Sequence, residues 1–143
     1  MESFLGLKVK QFHNKSIELS QPTLIDNLLN LLGLENDSKK HDTPADLHAP
    51  KDFIQSDLPR EEKWNFRSAI GLLNYIAMTT RPDISAAVHQ CARFTCNPKR
   101  FHEQAVKRIG RYLLRTKNKG LILNPDKSKT TLDCYVDADF AGN

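Results

Sequence analysis

The stretch HEQAVKRIGRYLLRT, His102 to Thr116, decides how this chain folds. Its apolar residues recur at intervals of three and four, which is the spacing of one face of an α-helix. That face collects Ala105, Val106, Ile109, Tyr112 and Leu113. The opposite face collects Lys107, Arg108, Arg111 and Arg115. The stretch therefore predicts a helix that buries one side in a core and presents a basic side outward.

The positive charge of the chain is concentrated around this helix. The formal net charge over all 143 residues is +4. Between Lys99 and Lys119, however, eight Lys or Arg residues accompany a single acid, Glu103, so the remainder of the chain is net acidic. Cations on successive helical turns lie about 5.4 Å apart, a spacing at which several phosphates of one nucleic-acid strand can be contacted. Two alternatives stay open: a solvated basic face, and a helical module that binds acidic side chains of another protein.

The N-terminal part of the chain predicts a β-hairpin and a short helix. Alternating apolar residues within 4–9 resume at Ile17 and Leu19, after a polar turn at 13–15. Pro22 is favoured in a first helical turn, and apolar residues at helical spacing continue until Gly33 offers a stop. Residues 35–59 contain three prolines and predict a long loop.

Two more helices are predicted between this loop and the basic helix. The first starts near Pro59 or Arg60, is capped by Asp57 or Ser56, and ends before Arg81. Its buried stripe is Trp64, Ile70, Leu73, Ile76 and Ala77. The second is capped by Asp83, is broken at Asn97 and Pro98, and buries Ile84, Ala87, Val88, Cys91 and Phe94.

Strands near 120–124 and 131–137 predict a C-terminal β-hairpin. The fold class predicted for the chain is therefore α+β. It combines an N-terminal β-hairpin, a mainly helical middle of about four helices, and a C-terminal β-hairpin.

Composition places the chain among single-core globular proteins, with 39% hydrophobic and 27% charged residues. The three cysteines form no disulfide-scaffold pattern, and no signal peptide precedes them. No apolar run reaches the roughly 20 residues of a membrane span. We therefore expect an intracellular protein, cytoplasmic or nuclear, that is not secreted and has no membrane partner.

The last nine residues, YVDADFAGN, place two carboxylates on the same side of a predicted strand. Asp137 and Asp139 would repel each other there unless a cation or a proton separated them. Mg²⁺ is a suitable cation, because carboxylates together with substrate phosphate oxygens hold it in phosphodiester chemistry. A pair of solvated or capping acids at a strand end is the alternative, and a stand-alone metal nuclease is a further one.

Five segments taken together, in this order, resemble one known family. They are FLG at 4–6, LSQPTLIDNLL at 19–29, TTRPDISAAV at 79–88, HEQAVKRIGRYLLRT at 102–116 and YVDADFAG at 135–142. The ordered series is similar to the reverse transcriptase and ribonuclease H region of copia-type retrotransposon Pol polyproteins. The resemblance covers essentially the whole chain.

The resemblance implies a role for several individual residues. Phe4, Leu5 and Gly6 match the hairpin motif that positions the primer strand in reverse transcriptases. Asp137 matches the first metal-binding carboxylate of ribonuclease H, and Asp139 accompanies it. The Tyr-x-Asp-Asp turn of the family's polymerase site does not occur in this sequence.

The resemblance also implies a division of the chain. Residues 1–20 would be the end of the polymerase palm, 21–119 the helical thumb and connection, and 120–143 the first strands of a truncated ribonuclease H domain. The parent enzyme would use Mg²⁺, but we expect no cofactor to bind this chain tightly and no complete polymerase or nuclease site.

The expected partners are an RNA:DNA hybrid or duplex nucleic acid and the rest of the Pol polyprotein. The residues predicted to contact nucleic acid are Phe4, Leu5, Gly6, Lys107, Arg108, Arg111 and Arg115. A non-catalytic helical protein-interaction module with a basic face remains the alternative function.

Overall fold

The computed structural model describes residues 3–4, 6–37, 39–45, 58–61 and 63–124. Its strands are β1 (Ser3–Phe4), β2 (Leu7–Gln11), β3 (Ile17–Ser20) and β4 (Leu121–Leu123). Its α-helices are α1 (Pro22–Leu32), α2 (Phe66–Thr79), α3 (Ser85–Ala92) and α4 (Arg100–Arg115), with a 3-10 turn at Pro82–Ile84 before α3. The α+β class is confirmed, while the second strand predicted for the C-terminal hairpin, at 131–137, lies outside the described residues.

The core of the described part lies among the four helices. Helix α4 packs against α1, α2 and α3, and its predicted apolar face is buried at Val106, Ile109 and Leu113. A Cβ placed on Gly110 would lie only 2.8 Å from Leu34 Cδ1. The absence of that side chain therefore lets α4 approach the end of α1 closely.

The end of α1 follows the sequence prediction. Gly33 adopts the left-handed conformation, with φ 66°, at the helix C-cap. The Leu34 N–H donates to the Leu29 carbonyl at 2.9 Å, and the Leu34 side chain is buried in the core. The chain then continues through 35–37 and 39–45 without helix or strand.

The four strands form one antiparallel sheet in the order β1-β2-β3-β4. The predicted hairpin is confirmed as β2 and β3, and in its turn the Asn14 side chain accepts the Ser16 N–H at 3.0 Å. Strand β4 pairs with β3, Leu121 lying opposite Leu19. Pairing between the N-terminal hairpin and a strand about one hundred residues later was not foreseen from the sequence. The predicted division into residues 1–20, 21–119 and 120–143 stays a prediction.

The predicted start of α2 is wrong. The helix begins at Phe66 rather than near Pro59 or Arg60, and Asn65 caps it by accepting the Ser68 N–H at 2.9 Å. The proposed caps Asp57 and Ser56 lie outside the described residues. Trp64 therefore precedes the helix, although it packs against the core as expected.

The segment before α2 is held by α4 rather than by helical hydrogen bonds. The Arg60 guanidinium pairs with Glu103, which is 2% exposed, and donates to the Trp64 carbonyl at 2.7 Å. The Glu61 N–H also donates to Glu103, at 3.2 Å. A buried carboxylate needs such partners, because an unpaired buried charge is costly. Glu103 therefore lies on the buried side of α4 and adds no negative charge to its basic face.

The predicted role of Asp83 as a helix cap is also wrong. Its carboxylate makes no capping bond and instead accepts from Arg81 at 2.9 and 2.8 Å and from the Tyr112 hydroxyl at 2.7 Å. Phe94 lies beyond the end of α3 rather than on its buried side. It is exposed there and stacks on the His102 ring at a centroid distance of 4.0 Å.

The pairing of β3 with β4 depends on Gly120. A Cβ at this position would lie 2.3 Å from the Leu19 carbonyl oxygen, a backbone atom that cannot rotate away. We expect Gly120→Ala to lower the free energy of unfolding by about 1–3 kcal/mol, as overpacking generally does. Urea denaturation followed by circular dichroism measures the change. The matched control is Gly71→Ala in α2, where a Cβ meets nothing within 4 Å, so the control should leave stability unchanged or raised. Equal effects at both glycines would contradict the pairing.

The start of α4 is expected to weaken in mild acid. His102 Nδ1 accepts the Lys99 N–H at 2.8 Å, and burial followed by the charge of Lys99 lowers the pKa of this imidazole. Below about pH 6.5, His102 therefore binds a proton in the unfolded chain more readily than in the folded chain. The free energy of unfolding falls as the pH drops from there through the lowered pKa of the folded state. Urea unfolding measured at several pH values between 7 and 5 reports this loss. His102→Gln, which keeps an acceptor without titrating, should flatten the dependence, whereas His89→Gln at an exposed position of α3 should leave it in place.

Candidate nucleic-acid interface

The four predicted cations lie on the side of α4 that faces away from its buried residues. Lys107, Arg108 and Arg111 are half-buried, and Arg115 is exposed. The periodicity that buries Val106, Ile109 and Leu113 places these cations outward. Arg111 and Arg115 stand one helical turn apart along this face.

Polar residues of the segment after α1 cover this basic face. We call residues 35–37 and 39–45 the strap. Arg111 Nε donates to Asp37 Oδ2 at 2.8 Å, and Arg108 Nη2 donates to Thr43 Oγ1 at 3.1 Å. The Arg115 guanidinium pairs with Asp42. The acids missing from α4 itself are therefore supplied by a segment about seventy residues earlier in the chain.

The Asp37 carboxylate of the strap stays ionised at neutral pH. The Lys39 backbone N–H, which donates to Asp37 at 2.8 Å, and the Arg111 side chain together hold the pKa of Asp37 below its usual range, against a smaller opposing effect of burial. Asp37 is therefore a full negative charge against Arg111. Lys117, just past the end of α4, pairs in a similar way with Asp26 of α1 at 2.5 Å.

The C-terminal turn of α4 is positioned by a buried arginine that the sequence analysis did not single out. Arg81, 2% exposed, donates to the Thr116 carbonyl at 3.0 Å and to the Thr116 hydroxyl at 2.7 Å. The same guanidinium holds Asp83, which also accepts from Tyr112. Burial tends to raise the pKa of Asp83, but these hydrogen bonds outweigh it and lower the pKa. The motif TRPD at 80–83 was the sequence signal for this contact. Its Arg and Asp side chains join the α2–α3 turn to α4 by hydrogen bonds.

Two of the three other predicted contact residues, Phe4 and Gly6, lie at the β1 edge of the sheet rather than on α4. Phe4 belongs to β1, where its backbone pairs with Leu7, and Gly6 forms the tight turn with φ 79°. Strands β2 and β3 separate β1 from the strand that follows α4. Leu5 lies outside the described residues, as do Asp137 and Asp139. The structure thus brings Arg108, Arg111 and Arg115 together under one strap, and it leaves the two aspartates untested.

Within the described ranges, no three His, Cys, Asp or Glu side chains converge in a way that could hold a metal ion. Of the cysteines there, Cys91 is buried, which raises the pKa of its thiol to about 11, and Cys96 is exposed. The described helices also include none with the length and apolar content needed to cross a bilayer.

Comparison with known proteins finds relatives over nearly the whole chain. A retrovirus-related Pol polyprotein from transposon RE1 of Arabidopsis thaliana is 37% identical over 98% of the chain, which covers 9% of that polyprotein. A retrovirus-related Pol polyprotein from transposon TNT 1-94 of Nicotiana tabacum is 35% identical over 99% of the chain and is covered to 11%. An uncharacterised mitochondrial protein of Arabidopsis thaliana is 32% identical over 97% of the chain and is covered to 55%.

No protein-family model matches the chain, and no solved structure matches it. The chain spans about a tenth of the length of the two polyproteins, 9% and 11%, so the matching region is one segment of each. The resemblance of the ordered motifs and the sequence identities both indicate a transposon Pol polyprotein. Over nearly all of its length, the chain is homologous to a segment of retrovirus-related transposon Pol polyproteins.

Proposed function

We propose that this chain corresponds to the reverse transcriptase and ribonuclease H region of such polyproteins and contributes nucleic-acid binding to it. The basic face of α4, formed by Lys107, Arg108, Arg111 and Arg115, contacts the phosphate backbone of an RNA:DNA hybrid or duplex. The observation that carries the proposal is this one-sided array of cations on a helix whose other side is locked in the core. The rest of the Pol polyprotein is the second proposed partner of the chain.

The chemistry of the face suits phosphate. Arginine presents several N–H donors in a fixed plane and stays charged at all physiological pH values. Arg111 and Arg115 already bind carboxylate oxygens of Asp37 and Asp42, and phosphate oxygens accept charge-assisted hydrogen bonds from the same donors. Such contacts position a nucleic acid without reading its sequence.

The role of the α4 basic face is binding and not turnover. Mg²⁺ would serve the parent enzyme in strand hydrolysis and synthesis, but the acids assigned to it, Asp137 and Asp139, lie outside the described residues. The described residues offer no alternative donor set.

A protein-interaction module remains the second candidate, favoured by a separate observation. Met78 on α2 is 87% exposed and lines an open groove between α2 and α3, together with Asn74, Ala86, His89 and Gln90. An exposed apolar side chain beside a groove is a feature of protein-binding surfaces. Carboxylates also occupy the basic face within this chain, which shows that acidic side chains fit it.

Charge removal on α4 tests the proposed function. The triple variant Lys107→Gln, Arg111→Gln, Arg115→Gln should bind a fluorescent RNA:DNA hybrid more weakly. Its plot of log affinity against log salt should be shallower by about three units, because each lost phosphate contact removes about 0.9 from the slope. Fluorescence anisotropy measured between 50 and 200 mM salt gives both the affinity and the salt slope. Over this range a protein with many phosphate contacts loses roughly 10³-fold or more in affinity.

The matched control removes the same number and kind of charges elsewhere. Lys63→Gln, Arg67→Gln, Arg93→Gln changes three exposed residues that are not part of α4. If both triple variants lose affinity equally, or neither does, α4 is not the nucleic-acid surface. A competition experiment distinguishes nucleic-acid binding from the protein-interaction module. If α4 binds nucleic acid, an unlabelled hybrid should displace any protein bound to the basic face, and failure to displace it would favour the interaction module.

A further inference from the structure

The basic face of α4 is occupied, in this structure, by the chain's own strap. Two of its arginines are paired with carboxylates of the strap, Arg111 with Asp37 and Arg115 with Asp42. Arg108 donates to Thr43 of the same segment. A phosphate backbone would therefore have to replace the strap residues as the partners of these arginines.

The strap is attached in a way that permits its release. It contains no helix or strand within 35–37 and 39–45, and it follows directly on Leu34, which is fixed in the core. The Arg115 and Asp42 side chains are 51% and 77% exposed, so water and salt compete with their pairing. The Arg111 and Asp37 pair is more sheltered, at 21% and 17% exposed. The contacts therefore neutralise the face without building a packed layer over it.

We propose that the strap is an intramolecular competitor for the nucleic-acid face, and that Asp37 and Asp42 must leave Arg111 and Arg115 before phosphates bind there. The inference rests on the proposed function of α4 and adds a regulatory element to it. The chain then exists as a covered form and an uncovered form, and only the uncovered form binds nucleic acid through these arginines.

Two measurable consequences follow from this exchange. The apparent affinity is reduced by the fraction of molecules that are uncovered, so removing the strap charges raises it. The salt dependence is also reduced, because added salt weakens the exposed ion pairs of the strap as well as the phosphate contacts, so it uncovers part of the face while it weakens binding to it. Release of the strap thus changes both the affinity and the salt slope in the same variant.

The test uses the full chain and an RNA:DNA hybrid as probe. In Asp37→Asn, Asp42→Asn the side-chain shape and the acceptor for the Lys39 N–H are kept while both charges are removed. We expect hybrid affinity to rise roughly three- to tenfold, from the loss of two partly exposed ion pairs. The salt slope should become steeper, because added salt no longer weakens a competing ion pair.

The matched control is Glu18→Gln, Glu35→Gln, which changes the net charge by the same amount. Glu18 lies on β3, and Glu35 is an exposed residue at the start of the strap that makes no hydrogen bond or ion pair with the described residues of α4. The control measures the general effect of a more basic chain on binding. Asp42→Asn alone, at a largely exposed position, serves as a second variant with no expected cost to folding, and it should shift affinity in the same direction by a smaller factor.

The results separate the two proposals. Tighter binding and a steeper salt slope in the aspartate variants, beyond those of the control, support the competing strap. Aspartate variants that match the control in both measures overturn the strap while hybrid binding by α4 stands. Absence of salt-dependent hybrid binding in every protein, the wild type included, overturns the proposed function and the strap with it.

Discussion

Burial of one side of α4 against α1, α2 and α3 is the constraint on which the rest of the structure depends. Val106, Ile109 and Leu113 are almost completely removed from water, and Gly110 allows α1 to approach closely. Because the helix cannot rotate without exposing this surface, the direction of every cation on its other side is determined. The electrostatic character of the outer surface is thus a consequence of hydrophobic packing inside.

Two buried polar contacts hold α4 at its ends. Near the N-terminus, Glu103 binds Arg60 and draws the segment before α2 against the helix. Near the C-terminus, Arg81 binds Thr116 and Asp83 and joins the α2–α3 turn to the last helical turn. Buried charges of this kind contribute little net stability, but breaking one partner is costly, so they select one arrangement of the elements. The basic face is consequently presented on a helix that is fixed to neighbouring segments near both of its ends.

The outer face itself is only partly available. Within the described residues, the arginines of α4 and their neighbours find carboxylates from distant segments, Asp37, Asp42, Glu61 and Asp26 among them. A helix that is strongly basic in sequence is therefore much closer to neutral in its folded surroundings. For a surface that binds a polyanion, such internal pairing lowers affinity and salt sensitivity together, and it limits non-specific attachment.

The sequence by itself determined the elements whose signals are local. The spacing of apolar residues in 102–116 predicted α4 and its two faces, Pro22 and Gly33 bounded α1, and the polar turn at 13–15 gave the hairpin of β2 and β3. The start of α2 also carried a local signal, the Asn65 cap, that was not read from the sequence. Tertiary structure alone decided the contact of Asp83 with Tyr112, the pairing of β4 with β3, and the covering of Arg111 and Arg115 by Asp37 and Asp42. The physical reason is distance along the chain. Helical periodicity and capping act over a few residues, whereas an ion pair or a strand pairing between residues tens of positions apart becomes visible only when the core has brought them together.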